Sequence, residues 1–247
     1  MKKLLPYANY LAAGAGIAGA LLRQWTLVVG PDSRGLYPAA HPGWIGYLLI
    51  ILAAAAALFL MIRGCGKNGT ALPSGFFPLL GQAAAACGIL LYSLPLLAQG
   101  GMLNLLGGLL GLCAAGTLAV VAWQNVQQKA AFVPAYLVIA LFFALQLFLV
   151  GKQFGTETQL LRFLPQMLAL GASALAAYEL MGVGAGCVNG AKSLFWSLSA
   201  ALLCFAAAPG AHWMYAAVGL WHLLGHCTLT APAAEAEEAA DPDGSTP

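Results

Sequence analysis

A chain of 247 residues that is 61% hydrophobic and only 7% charged cannot cover a water-soluble surface, because an ordinary soluble domain carries about 25% charged residues. The formal charge of +2 sets ten Lys and Arg against eight acids, five of which (Glu235, Glu237, Glu238, Asp241 and Asp243) lie in the last 13 residues. The cations stand singly at the ends of apolar runs and form no basic stripe, so they read as markers of topology rather than as a nucleic-acid surface.

A run of roughly 20 apolar residues is the length that crosses a bilayer as a helix, with every backbone group satisfied inside the segment. Eight such runs follow one another: Leu4 to Val29, Gly43 to Ile62, Gly75 to Leu97, Met102 to Trp123, Ala131 to Val150, Leu160 to Met181, Lys192 to Ala208 and Ala211 to Leu229. The expected fold is all-α, an integral membrane bundle of eight transmembrane helices over residues 1–230, with the lipid bilayer as its surroundings. The last pair depends on a thin signal, since only Pro209 and Gly210 separate the two runs. One unbroken span across both would be too long for a bilayer.

Lys2, Lys3, Arg63, Lys67, Lys129 and Lys192 fall on one side, against Arg34 and Lys152 in the opposite loops, with Arg23 and Arg162 near that opposite side. The richer side is expected in the cytoplasm, giving a multi-pass cell-membrane protein with both termini inside. Met1-Lys2-Lys3 and the small residues Ala18-Gly19-Ala20 imitate a signal peptide. The apolar run continues past them and resumes at Trp25 to Val29, which favours a retained span. From Ala231 the chain loses apolar periodicity, so residues 231–247 are expected to form a disordered acidic cytoplasmic tail. In each half a long outer loop (Gly30 to Pro42; Gly151 to Gln159) precedes a very short outer hairpin (Ala98 to Gly101; Pro209 to Gly210). That pattern suggests two parallel four-helix repeats.

Arg23 is the first candidate site residue. Ala12, Gly16, Gly19 and Arg23 recur at helical spacing on one face, and a small-residue face permits close helix packing, so Arg23 should point into the bundle. A charge inside a span calls for a partner; Asp32 is the first choice and Glu157 the second. Arg23 also reads as a pin for the outer loop from Pro31 to Tyr37, needing no ligand. Trp25, Tyr37 and Trp44 read as an interfacial aromatic belt.

The last span carries the most ordered polar pattern: His212, Tyr215, Gly219, His222 and His226 form one stripe, with Trp213 and Trp221 on other faces toward lipid. His222 and His226, four residues apart, could both reach one metal ion; interhelical hydrogen bonding explains the stripe without one. Haem would need imidazoles on facing helices, and no other span contains His. Glu179, near the end of the sixth span, is placed to meet His226 as a proton-responsive contact.

Other strings carry less. Gly14-Ala15-Gly16-Ile17-Ala18-Gly19 matches a dinucleotide fingerprint but lies inside a span with no strand before it. Asn104, Gly108, Gly111 and Ala115 make a packing face. Ser173 and His222 share a depth as a membrane serine-protease dyad would, but Gly171-Ala172-Ser173-Ala174 departs from the rhomboid protease pattern. The six cysteines have no CxxC spacing and read as small packing residues. No cofactor and no catalytic residue follow from these patterns.

Arg23-Gln24-Trp25 followed by Asp32-x-x-Gly35-Leu36-Tyr37, with Tyr178-Glu179 late in a later span, resembles small bacterial polytopic membrane proteins with no assigned function. The resemblance implies an eight-helix fold, adds weight to Arg23, Asp32 and Glu179, and brings no activity. Two functional classes stand. One is a small transporter or membrane ligand-binding subunit with a small-molecule ligand; the other is a structural, scaffold or sensory membrane protein whose polar groups join helices. An intramembrane enzyme comes third.

Overall fold

The computed structural model describes residues 7–29, 42–63, 75–127, 133–154, 160–187 and 190–225. They form eight helices: α1 (Tyr7–Val29), α2 (Pro42–Arg63), α3 (Phe76–Ala98), α4 (Met102–Val126), α5 (Pro134–Phe154), α6 (Leu160–Gly184), α7 (Gly190–Ala207) and α8 (Trp213–Gly225). No strand occurs among the described residues. Helices α1 to α7 are long and apolar enough to cross a membrane. Helix α8 has 13 described residues, about 20 Å at the usual rise per residue, which is shorter than the span expected there.

Helices α3 to α8 form a ring in chain order, each packed on the next, and α8 closes it by packing back on α3. Helices α1 and α2 lie outside the ring as a hairpin against α7. Neighbours in the ring run antiparallel. On the α3–α8 seam, for example, Gly81 meets Trp221 and Leu224 while Gly88 meets Met214 and Ala217. One end of the ring, here the distal end, therefore carries the turns α3–α4 and α7–α8; the other, the basal end, carries the start of α7 and the end of α6.

The seams are made of small residues and the outside of large apolar ones. Ala8, Ala12, Gly16, Gly19, Arg23 and Thr26 are the buried face of α1, whereas Leu21, Val28, Leu49, Leu60, Leu91 and Phe148 are exposed. Small residues let backbones approach closely where no solvent drives large ones inward. Gly16 shows the consequence: a Cβ there would stand 2.9 Å from the Phe205 side chain and 3.1 Å from the Leu202 carbonyl oxygen of α7. Across the ring the space is filled by side chains, with Tyr136, Phe142, Phe143, Met214, Tyr215 and Trp221 among the core.

Both short hairpins expected at the distal end are present. Gly100 and Gly101 turn α3 into α4 with φ of 71° and 86°, and Gly210 turns α7 into α8 with φ of 68°; only glycine enters this left-handed region freely. The Ala211 N–H donates to the Ala208 carbonyl across the second turn. Pro95 and Pro165 lie inside α3 and α6 without ending them. The two halves pack differently, since α6 packs on α7 while their counterparts α2 and α3 make no comparable seam.

Two expectations about side-chain placement are corrected. Trp213 is 89% exposed, but Trp221 is 3% exposed, because Gly81 lets α8 approach α3 so closely that this second face of α8 is covered. Cys87 and Cys113 are exposed and only Cys204 of the described spans' cysteines is buried, so the first two do not fill the interior.

Candidate functional site

At the distal end the ring does not close. A cavity of about 620 Å³ opens there, lined by the last turns of α3 and α5, the first turns of α4 and α8, and Gln166 of α6. Its polar lining is Tyr92, Gln99, Asn104, Lys152, Gln166, His212 and Tyr215; Leu96, Met102, Leu103, Leu149 and Val150 supply apolar wall. A pocket of this size with a few convergent polar groups suits a small ligand.

The floor is hydrogen-bonded. The Tyr92 hydroxyl donates to Gln146 Oε1 at 2.9 Å, and the Tyr92 ring meets the His212 ring edge-on at 4.9 Å. Gln146 is buried and its Nε2 has no hydrogen-bond partner. Tyr215 is only 4% exposed and lines the cavity, and its backbone N–H donates to the His212 carbonyl at 3.1 Å. Its ring is packed in the core while the residue reaches the cavity wall, so the hydroxyl can serve a molecule bound there. Asn104 is partly engaged, donating to the Gly100 carbonyl at 3.0 Å.

Of the five residues singled out in the sequence, three are described and they stand apart. Arg23 is 1% exposed and donates to the carbonyl of Ala207, the last residue of α7. A helix leaves its last carbonyls without intrahelical donors and at the negative end of its dipole, so Arg23 caps α7. Its face packs on α7 as the spacing predicted, with Gly19 against Ala206 and Gly16 against Phe205. Arg23 does not line the cavity. Asp32 and Glu157, the partners considered for it, lie outside the described residues.

Glu179 belongs to the basal end. It is 3% exposed, and its Oε1 is 2.6 Å from Nζ of the exposed Lys192, one helix away on α7. Its other carboxylate oxygen has no partner. The expected contact was His226, which lies outside the described residues. The carboxylate's described partner is Lys192 because α6 and α7 antiparallel bring the end of one beside the start of the other.

His222 is buried at 2% exposure with its ring 4.3 Å from that of Trp221. The stripe on α8 is therefore split: His212 and Tyr215 open on the cavity, while Gly219 packs against Cys204 and Phe205 and His222 is closed in below. Ser173 does not meet His222; its hydroxyl pairs with the Cys204 thiol at 3.3 Å. That contact replaces the protease-like dyad, because α6 presents Ser173 to α7 rather than to α8. No three His, Cys, Asp or Glu converge among the described residues.

Sequence reading missed the cavity. Tyr92, Gln99 and Gln166 drew no notice, and Asn104 and Lys152 were read for packing and topology. Each is a single polar residue near the same end of its helix, and that shared depth was the available signal. The chain matches no protein-family model, no curated protein and no solved structure.

Proposed function

We propose that this chain is a polytopic, eight-span cell-membrane protein with cytoplasmic termini whose function is to bind a small molecule at a site open to the outer face. The distal cavity carries the reading, with Tyr92, Gln99, Asn104, Lys152, Gln166, His212 and Tyr215 converging on one space of small-ligand size. The orientation rests on the cation asymmetry of the sequence, Lys2, Lys3, Arg63, Lys67, Lys129 and Lys192 against Arg34, Lys152, Arg23 and Arg162. The eight-helix layout also agrees with the small bacterial membrane proteins that the motifs around Arg23 and Glu179 resemble.

Binding is favoured over transport by depth. His222 lies seven residues below Tyr215 on α8, about 10 Å further in, and it is closed off from the cavity. The pocket is one-sided, and the ring beneath it is filled by Tyr136, Phe142 and Phe143. The packing of the halves gives no support to two equivalent four-helix repeats.

The test is a screen of small polar solutes against the protein in lipid nanodiscs, read as a rise in melting temperature. Gln166→Trp would fill the cavity from a half-exposed position; it should abolish the rise while leaving the ligand-free melting point within a degree or two of wild type. Binding should occur without flux in proteoliposomes. A solute effect that survives the Trp substitution unchanged would place the ligand elsewhere.

A further inference from the structure

We infer that the cavity's ligand is a small organic monoanion, a carboxylate carried on an apolar body. This rests on the binding reading above and adds the chemical class.

Among the described residues the lining has one formal charge, Lys152, and no acid. The only acid among the described residues, Glu179, is at the opposite end of the ring and already paired. Around Lys152 stand groups that donate: the Tyr215 hydroxyl and the side-chain amides of Gln99 and Gln166.

The backbone adds to this. Gly101, Met102 and Leu103, which begin the 25-residue helix α4, are part of the lining, and His212 stands immediately before α8. Two helix N-termini thus face the space with the positive ends of their dipoles. The C-termini of α3 and α5 end beside the same space and oppose these dipoles, so Lys152 is the lining group that decides the sign. The one cation of the described lining matches one negative charge, and a dianion would leave a charge uncompensated against Leu96, Leu149 and Val150.

A carboxylate of this kind has two sources, an aqueous aromatic acid or a fatty acid dissolved in the bilayer. The probes are therefore phenylacetate and decanoate, each beside its neutral amide, titrated against the full chain in phosphatidylcholine nanodiscs. At least one acid is expected to bind about tenfold tighter than its amide, phenylacetate alone marking an aqueous source and decanoate alone a membrane one. Lys152 is exposed, so Lys152→Gln should fold normally and reduce the acid preference to twofold or less. Tyr215→Phe should weaken the acids by a further several-fold without removing the preference.

An amide binding as tightly as its acid would overturn the anion class, as would a preference that survives Lys152→Gln or failure of both acids to bind. Amide binding that still depends on Tyr215 would leave the cavity reading standing while the monoanion fails.

Discussion

At the distal end of the ring, five helices hold polar side chains around about 620 Å³ of open space. At the basal end two pairings lock helix ends together. Asn125 clamps the start of α3, its Oδ1 accepting from the Gly75 N–H at 2.9 Å and its Nδ2 donating to the Gly75 carbonyl at 3.2 Å. Glu179 takes Lys192. Both ends hold amides and a lysine, so composition does not separate them. What separates them is the opening: the distal groups, Tyr215 and Gln166 among them, face one shared cavity, whereas Glu179 is closed in between α6 and α7.

The largest effect should come from prying open the seam that closes the ring. A Cβ at Gly81 would stand 2.9 Å from the Trp221 Cα and 3.2 Å from the Leu220 carbonyl oxygen, backbone atoms that cannot step aside. Gly81→Leu should cost about 3 kcal/mol or prevent assembly, as overpacking of a tight seam does; thermal unfolding in detergent measures it. Gly116→Ala is the control, since nothing lies within 4 Å of the added methyl, and it should be neutral.

The basal pair gives the next effect. Lys192→Gln strands a carboxylate that is almost wholly buried and should lower the melting temperature, because an unsatisfied buried charge loses more than the bond it made. The double variant Glu179→Gln, Lys192→Gln should recover much of that loss. Equal destabilisation by the single and double variants in a denaturation cycle would show that Glu179 is already solvated, erasing the contrast between the ends.

The helices were legible because apolar runs are punctuated by lone cations and glycine turns, and α1 yielded its buried face because its small residues keep helical spacing. The pairing of α3 with α8 was not legible. Nothing in the spacing of Gly81 and Gly88 names a partner helix, so Trp221 was turned outward when it is covered. The cavity escaped for a related reason: its residues come from five helices and share a depth, not a period. His222 was overweighted because periodicity on one helix says nothing of how deep the opening reaches.

On the floor of the cavity, Tyr92→Phe removes the donor to Gln146 Oε1. Gln146 Nε2 already lacks a partner, so the variant leaves a buried amide with neither end satisfied and should cost about 1 kcal/mol. Replacing Gln146 as well, with Leu, should return most of it.

The smallest perturbation divides α8 itself. Diethyl pyrocarbonate reacts with imidazoles that water can reach, and His212 is exposed at the cavity while His222 is 2% exposed beside Trp221. Brief treatment of the intact protein, mapped by peptide mass spectrometry, should modify His212 and spare His222, with no measurable change in melting temperature. Adding a ligand that fills the cavity should then slow the His212 reaction and leave His222 as it was. Equal reaction at both would mean that the opening runs past Tyr215 to the middle of the ring, and a one-sided binding pocket would have to give way to a channel through it.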